Sequence, residues 1–228
     1  MADYEFPTEV VELPSKGYFY FEGHPLSSGK VEVKYMTAKE EDILTSQNLI
    51  QQGTVIDKLL ESLVVDKSIK MDDLLIGDKN AIMVAARILG YGKDYDIEYD
   101  DTKQTVDLSK LEPIDIDFSK FAKGENQFSF ELPSSKRTIT FKLLNSGDEK
   151  QITEEVKARK KISKDDTSEL TTRLKHMILS VDGKSEKSHI NNFVDNEFLS
   201  LDSLAYRKYL ATVTPDVNMN VTVKDSTG

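Results

Sequence analysis

Apolar residues along this chain change their spacing twice, and the change restricts the folds open to it. From Tyr95 to Leu143 the period is two: "YDIEY", "TVDL", "IDIDF", "QFSFEL" and "TITFKL" alternate, with turn residues at Asp100 to Lys103 and Pro133 to Lys136. Successive side chains of a strand point to opposite faces, so this stretch reads as a small antiparallel β-unit. Upstream, short strands are expected around Val10 to Leu13, Tyr18 to Phe21 and Val31 to Tyr35, separated by Ser15-Lys16-Gly17 and Ser27-Ser28-Gly29. Thr37 stands three residues before Glu40, the capping-box spacing, and starts a helix. A second helix follows Gly53, with Thr54 as cap and Val55, Ile56, Leu59, Leu60 and Leu63 at helical spacing. Downstream, Ile152 and Val156 mark one helix, and Leu170, Leu174, Met177, Ile178 and Val181 mark another that Asp182-Gly183 stops. Further helices near His189 to Phe198 and Leu201 to Leu210 precede a final strand, "VNMNVTV". The expected class is α+β, with helical N- and C-terminal regions around the β-unit, divided as residues 1–94, 95–145 and 146–228.

The stretch "LLIGDKNAIMVAARILGYG" resembles a phosphate-binding arrangement, an apolar run, a sharp turn and then a helix. Its chemistry argues otherwise. A P-loop needs several glycines to expose N–H groups, and a Lys followed by a hydroxyl. Here Gly77 stands alone in the turn, no hydroxyl follows, and Asp78 sits where a capping acid belongs, its charge opposed to phosphate. Ala81, Ala85 and Ile88, with Ile82, Ala86 and Leu89 beside them, form a broad apolar face that Gly90 and Gly92 terminate. The segment reads as a buried helix without nucleotide.

Composition removes several chemistries. With no cysteine there is no disulfide, thiol nucleophile, iron–sulfur cluster or thiolate zinc site. Thirty Lys and Arg against forty Asp and Glu leave −10, which opposes nucleic acid and anionic lipid unless charge is segregated. The one basic run, "KARKK" at Lys157 to Lys161, is flanked by Glu154, Glu155, Asp165 and Asp166 and reads as a solvated helix face. No apolar run approaches the roughly 18 residues of a membrane span. The acidic start, "MADYEFPTEVVELP", has no secretory pattern, so folding in a cytoplasm is expected.

His24, His176 and His189 lie in separate segments without the i+4 partner of a helical metal pair, so no metal site and no cofactor is expected. "IDIDF" and "EYDD" invite a carboxylate-held magnesium, as in a nuclease, yet Asp115 and Asp117 alternate with Ile114, Ile116 and Phe118 as a strand with one wet face would. In "GYFYF" the same alternation turns Tyr18 and Tyr20 outward when Phe19 and Phe21 face a core. Tyr206 and Tyr209, three apart on a helix, share a face near Leu210. These four tyrosines are the candidate partner-binding residues, with a wholly internal role as the competing reading.

Four phrases in order, "VVELPSKGYFY", "VEVKYMTAKEEDIL", "LLIGDKNAIMVAARILGYG" and "FVDNEFLSLDSLAYRKYLATVTPDVNMNV", span Val10 to Val221, and through them the chain resembles the T-even-like phage baseplate hub family. The resemblance implies a non-enzymatic structural protein of the contractile-tail hub that binds other hub proteins, with the tape-measure protein as a further candidate partner. It implies a place in the virion baseplate, or in the host cytoplasm during assembly. Two rivals stand beside it: a transient assembly chaperone for hub or tape-measure protein, and a carboxylate-dependent hydrolase. Some members of that family carry Cys-x-x-Cys pairs near the positions of "YDDTKQT" and "VKDSTG"; their absence here removes a zinc ribbon. Relatives also continue past the last strand, which leaves that strand expected to lack its partner.

Overall fold

A computed structural model of the chain describes residues 7–99, 102–163, 165 and 167–222. Strands β1 (Thr8–Glu12) and β2 (Lys30–Lys34) pair antiparallel, with Val11 opposite Val31. The alternation of β2 explains its placement, because Val31 and Val33 are buried while Lys30 and Glu32 are exposed. Between the strands two turns meet backbone to backbone. A Cβ on Gly17 would lie 2.5 Å from the Ser27 carbonyl oxygen, and one on Gly29 would lie 2.5 Å from the Lys16 carbonyl carbon. Both glycines have φ near +70°, a region that side chains disfavour, so glycine is required twice over.

Tyr18 to Phe21 is not the strand that its alternation suggested. Lys16 and Gly17, at φ 50° and 72°, fold the segment into successive turns, so its side chains do not alternate between two faces. Phe19 and Tyr20 are both buried, Tyr18 is half-buried, and Phe21 is the aromatic left exposed.

Helix α1 (Ala38–Thr45) starts at the expected capping box, where the Glu40 carboxylate accepts the Thr37 N–H at 2.9 Å. A short helix α2 (Gln47–Gln52) ends at Gly53, and α3 (Val55–Leu63) buries Leu59, Leu60 and Leu63. Helix α4 (Ile76–Tyr91) packs on β1, β2 and α3. Its N-cap is Leu75, so Asp78 lies inside the first turn and is not the cap inferred from the sequence. Gly92, at φ 83°, ends the helix as expected.

The alternating region becomes two separate sheets. Strands β3 (Asp94–Tyr99) and β4 (Thr102–Asp107) form a two-stranded ribbon, while β5 (Phe128–Glu131) and β6 (Thr138–Phe141) open another sheet. Asp100 and Asp101 of the expected turn lie outside the described residues. "IDIDF" forms no strand: the Asp117 side chain accepts the Ser119 N–H at 3.2 Å and starts a helical turn at Phe118–Lys120. A carboxylate that caps its own turn competes with the extended conformation, and this one wins.

Helix α5 (Ser146–Ile162) begins with Asn145 and Asp148 as reciprocal caps. Helix α6 (Glu169–Met177) stops before Ile178, and β7 (Ile178–Val181) adds to β6, giving the order β5-β6-β7. The sequence assigned Ile178 and Val181 to the helix; the free edge of β6 and the left-handed turn Asp182–Gly183, φ 51° and 78°, draw them into the sheet. Helix α7 (Lys187–Asn192) runs into a π-turn at Phe193–Glu197, and α8 (Ser200–Val213) follows. In place of the final strand, Val217 makes one isolated bridge to Pro113, and Val223 lies outside the described residues. The architecture is α+β with small antiparallel sheets. One cluster of buried side chains, from Leu13 through Phe141 to Val213, holds these layers together, and the described side chains between 90 and 117 are not part of it.

Candidate interaction surfaces

The turns between β1 and β2 are anchored on α4 by one carboxylate. Asp78, fully buried, accepts the Ser15 N–H at 2.9 Å, the Ser15 hydroxyl at 2.7 Å and the Tyr20 hydroxyl at 2.7 Å. The Tyr20 oxygen accepts the Leu75 N–H at 2.9 Å, which satisfies a donor at the start of α4. Burial pushes the Asp78 carboxyl upward, against donors that favour its charged form, and burial with the Asp78 charge pushes the Tyr20 phenol upward. Tyr20 is thus bonded on both sides inside the fold. Tyr18 is half-buried, donating to the Phe121 carbonyl at 3.0 Å with its ring 5.2 Å from that of Phe118.

Gly77 gives the apolar–turn–helix stretch its reason. A Cβ there would lie 1.9 Å from the Pro215 carbonyl oxygen, so the glycine admits a crossing backbone where a phosphate loop would admit an anion. Asn80 holds the same crossing segment through Asp216 at 3.0 Å.

Tyr206 and Tyr209 do share a face of α8, and that face is applied to the β5–β6 strands. Tyr206 is fully buried, edge-on to Phe141 at 5.0 Å, with its hydroxyl 3.9 Å from Met177 Sδ. Burial pushes its phenol upward. Tyr209 is half-buried and stacks on Phe130 at 4.7 Å. In the folded chain neither Tyr20 nor Tyr206 offers its ring to the surface.

The aromatic residues that do face solvent are others. Tyr91 is 52% and Tyr95 46% exposed, and the Arg87 guanidinium lies 5.2 and 5.6 Å from their ring centroids. Arg87 also donates to the Gly92 carbonyl at 3.0 Å, which fixes the guanidinium between the rings. The i,i+4 spacing of Arg87 and Tyr91 was a local signal for half of this arrangement. At the start of α8, Leu199, Leu201 and Leu204 are likewise exposed, Leu201 to 70%.

Of the carboxylates weighed as a metal site, Asp100 and Asp101 lie outside the described residues. Asp117 bonds Ser119 and pairs with Lys120 at 3.2 Å, and no group of three or more His, Asp or Glu among the described residues is placed to hold a metal ion. His24 faces Asp73 at 3.6 Å, and His176 faces Glu155 at 3.1 Å in another part of the fold. Within α5, Lys157, Lys160 and Lys161 are exposed, and Arg159 pairs with Glu155 at 2.7 Å. No helix among the described residues is long and apolar enough to cross a membrane.

A family model described as T4 bacteriophage base plate protein matches residues 7–228. No curated protein and no solved structure matches the chain.

Proposed function

The chain belongs to the T4 bacteriophage base plate protein family, and from that premise we propose that it is a non-enzymatic structural component of the contractile-tail baseplate hub. It acts by contact with other hub proteins, with the tape-measure protein as a further partner. The observation that carries this reading is the placement of large side chains in water: Tyr91 and Tyr95 around Arg87, and Leu199, Leu201 and Leu204 on α8. Tyrosine and arginine are enriched at protein interfaces, and exposed apolar patches commonly mark them. The four phrases that resemble the hub family support the assignment to the hub rather than to the periphery of the baseplate.

Genetic removal tests the proposal. Phage in which the gene for this chain is interrupted should assemble heads and fail to complete tails, and the chain supplied in trans should restore plaques. Normal tail yield without the chain overturns the reading.

A further inference from the structure

We propose that the β3–β4 ribbon docks onto a basic, Lys- or Arg-bearing segment of a different baseplate protein; the proposal rests on the reading of the chain as a baseplate component. The ribbon pairs along its whole length, from Asp94 opposite Asp107 to Tyr99 opposite Thr102, yet it joins neither of the other sheets among the described residues. None of its described side chains belongs to the core cluster. A two-stranded hairpin by itself is marginal in water, and Asp94, Asp96 and Glu98 of this one are exposed on a single face.

The register sorts its side chains by chemistry. One face carries Asp94, Asp96 and Glu98 across from Asp107, Thr105 and Lys103, and the other carries Tyr95 and Ile97 across from Val106 and Gln104. Asp94 directly opposes Asp107, a like-charge pair that weakens a ribbon, and Lys93 partly offsets it by reaching both carboxylates at 3.4 and 2.7 Å. The sign of the charged face selects the occupant. Ribbon-on-ribbon pairing with a second copy would set acid against acid, and nucleic acid or anionic lipid would be repelled equally. A segment bearing Lys and Arg removes the repulsion and complements the exposed Asp94, Asp96 and Glu98.

The test uses the full chain during phage assembly. A photo-crosslinking phenylalanine derivative at Thr105, on the acidic face, should capture a Lys- or Arg-rich segment of another baseplate protein, mapped by mass spectrometry. Asp96→Lys with Glu98→Gln should lower incorporation by about tenfold or more at an unchanged melting temperature, and Asp96→Asn with Glu98→Gln, which keeps the ribbon's shape, should fall between. Capture of a second copy, capture of an acidic segment, or no capture at Thr105 while the same probe at Leu201 captures a partner would each overturn the proposal. Wild-type incorporation of the charge-reversed chain would also overturn it and leave the baseplate reading standing. That reading fails instead if tails form without the chain.

Discussion

Gly77 and Pro215 touch so closely that a single methyl group cannot fit between them: a Cβ on Gly77 would lie 1.9 Å from the Pro215 carbonyl oxygen. The chain leaving α8 therefore docks backbone to backbone against the first turn of α4, with Asn80 bonded to Asp216 beside it. Gly77→Ala should destabilise the protein by at least about 1–3 kcal/mol, the range for overpacking, because the obstacle is backbone that cannot rotate away. Urea unfolding of the two proteins measures this. An unchanged midpoint would mean that the two segments separate without loss.

Tyr20→Phe removes the hydroxyl that bridges the Leu75 N–H and the Asp78 carboxylate. The ring still fills its place, so the expected loss of about 1–3 kcal/mol belongs to the stranded buried groups. Asp78→Ala strands three donors from Ser15 and Tyr20 and should be worse than the roughly 0.5–2 kcal/mol of a lost helix cap. Chemical denaturation of both variants checks the order.

Much of the helical part was legible because its signals are local. The Thr37–Glu40 box, the α3 stripe and the glycine end of α4 each depend on residues within a turn or two. Features that failed to show depend on distant partners. Ile178 to Val181 continue the apolar pattern of α6, and only β6, some forty residues upstream, makes them a strand. "GYFYF" alternates in sequence, but the left-handed backbone at Lys16 and Gly17 and the pull of Asp78 on Tyr20 override the alternation. Of the four candidate tyrosines, two are interior, and the exposed pair went unnoticed because Tyr91 closes the apolar α4 and Tyr95 belongs to a ribbon whose described side chains lie outside the core.

Glu40 makes stability depend on acid. Its buried carboxylate accepts from Thr37 N–H and hydroxyl, from Lys34 and from Ser62. Burial alone would raise its pKa, but the bonds from Ser62, Thr37 and Lys34 outweigh it and hold the group well below its ordinary 4.5. A depressed carboxylate contributes its stability above the unfolded value and loses it as pH falls through and below that value. The urea midpoint should therefore drop between pH 6 and pH 3, and Glu40→Gln should remove part of that drop while lowering stability at pH 6. An identical pH profile in the variant would contradict the assignment.

Tyr206 separates an interior role from a partner role. Its hydroxyl meets only the weak acceptor Met177 Sδ, so Tyr206→Phe should cost less than about 1 kcal/mol, whereas Tyr206→Ala should cost about 3–5 kcal/mol by opening a cavity beside Phe141. Thermal melts paired with co-purification of tail proteins decide the matter. Association should weaken only as far as the melting temperature falls.

The central claim, that the chain is a resident part of the baseplate, is tested most directly by quantitative mass spectrometry of purified phage particles. The account predicts the chain at a fixed whole-number ratio to known hub proteins in finished tails. Its absence from finished tails, with presence only in assembly intermediates, would contradict residence and identify a transient chaperone.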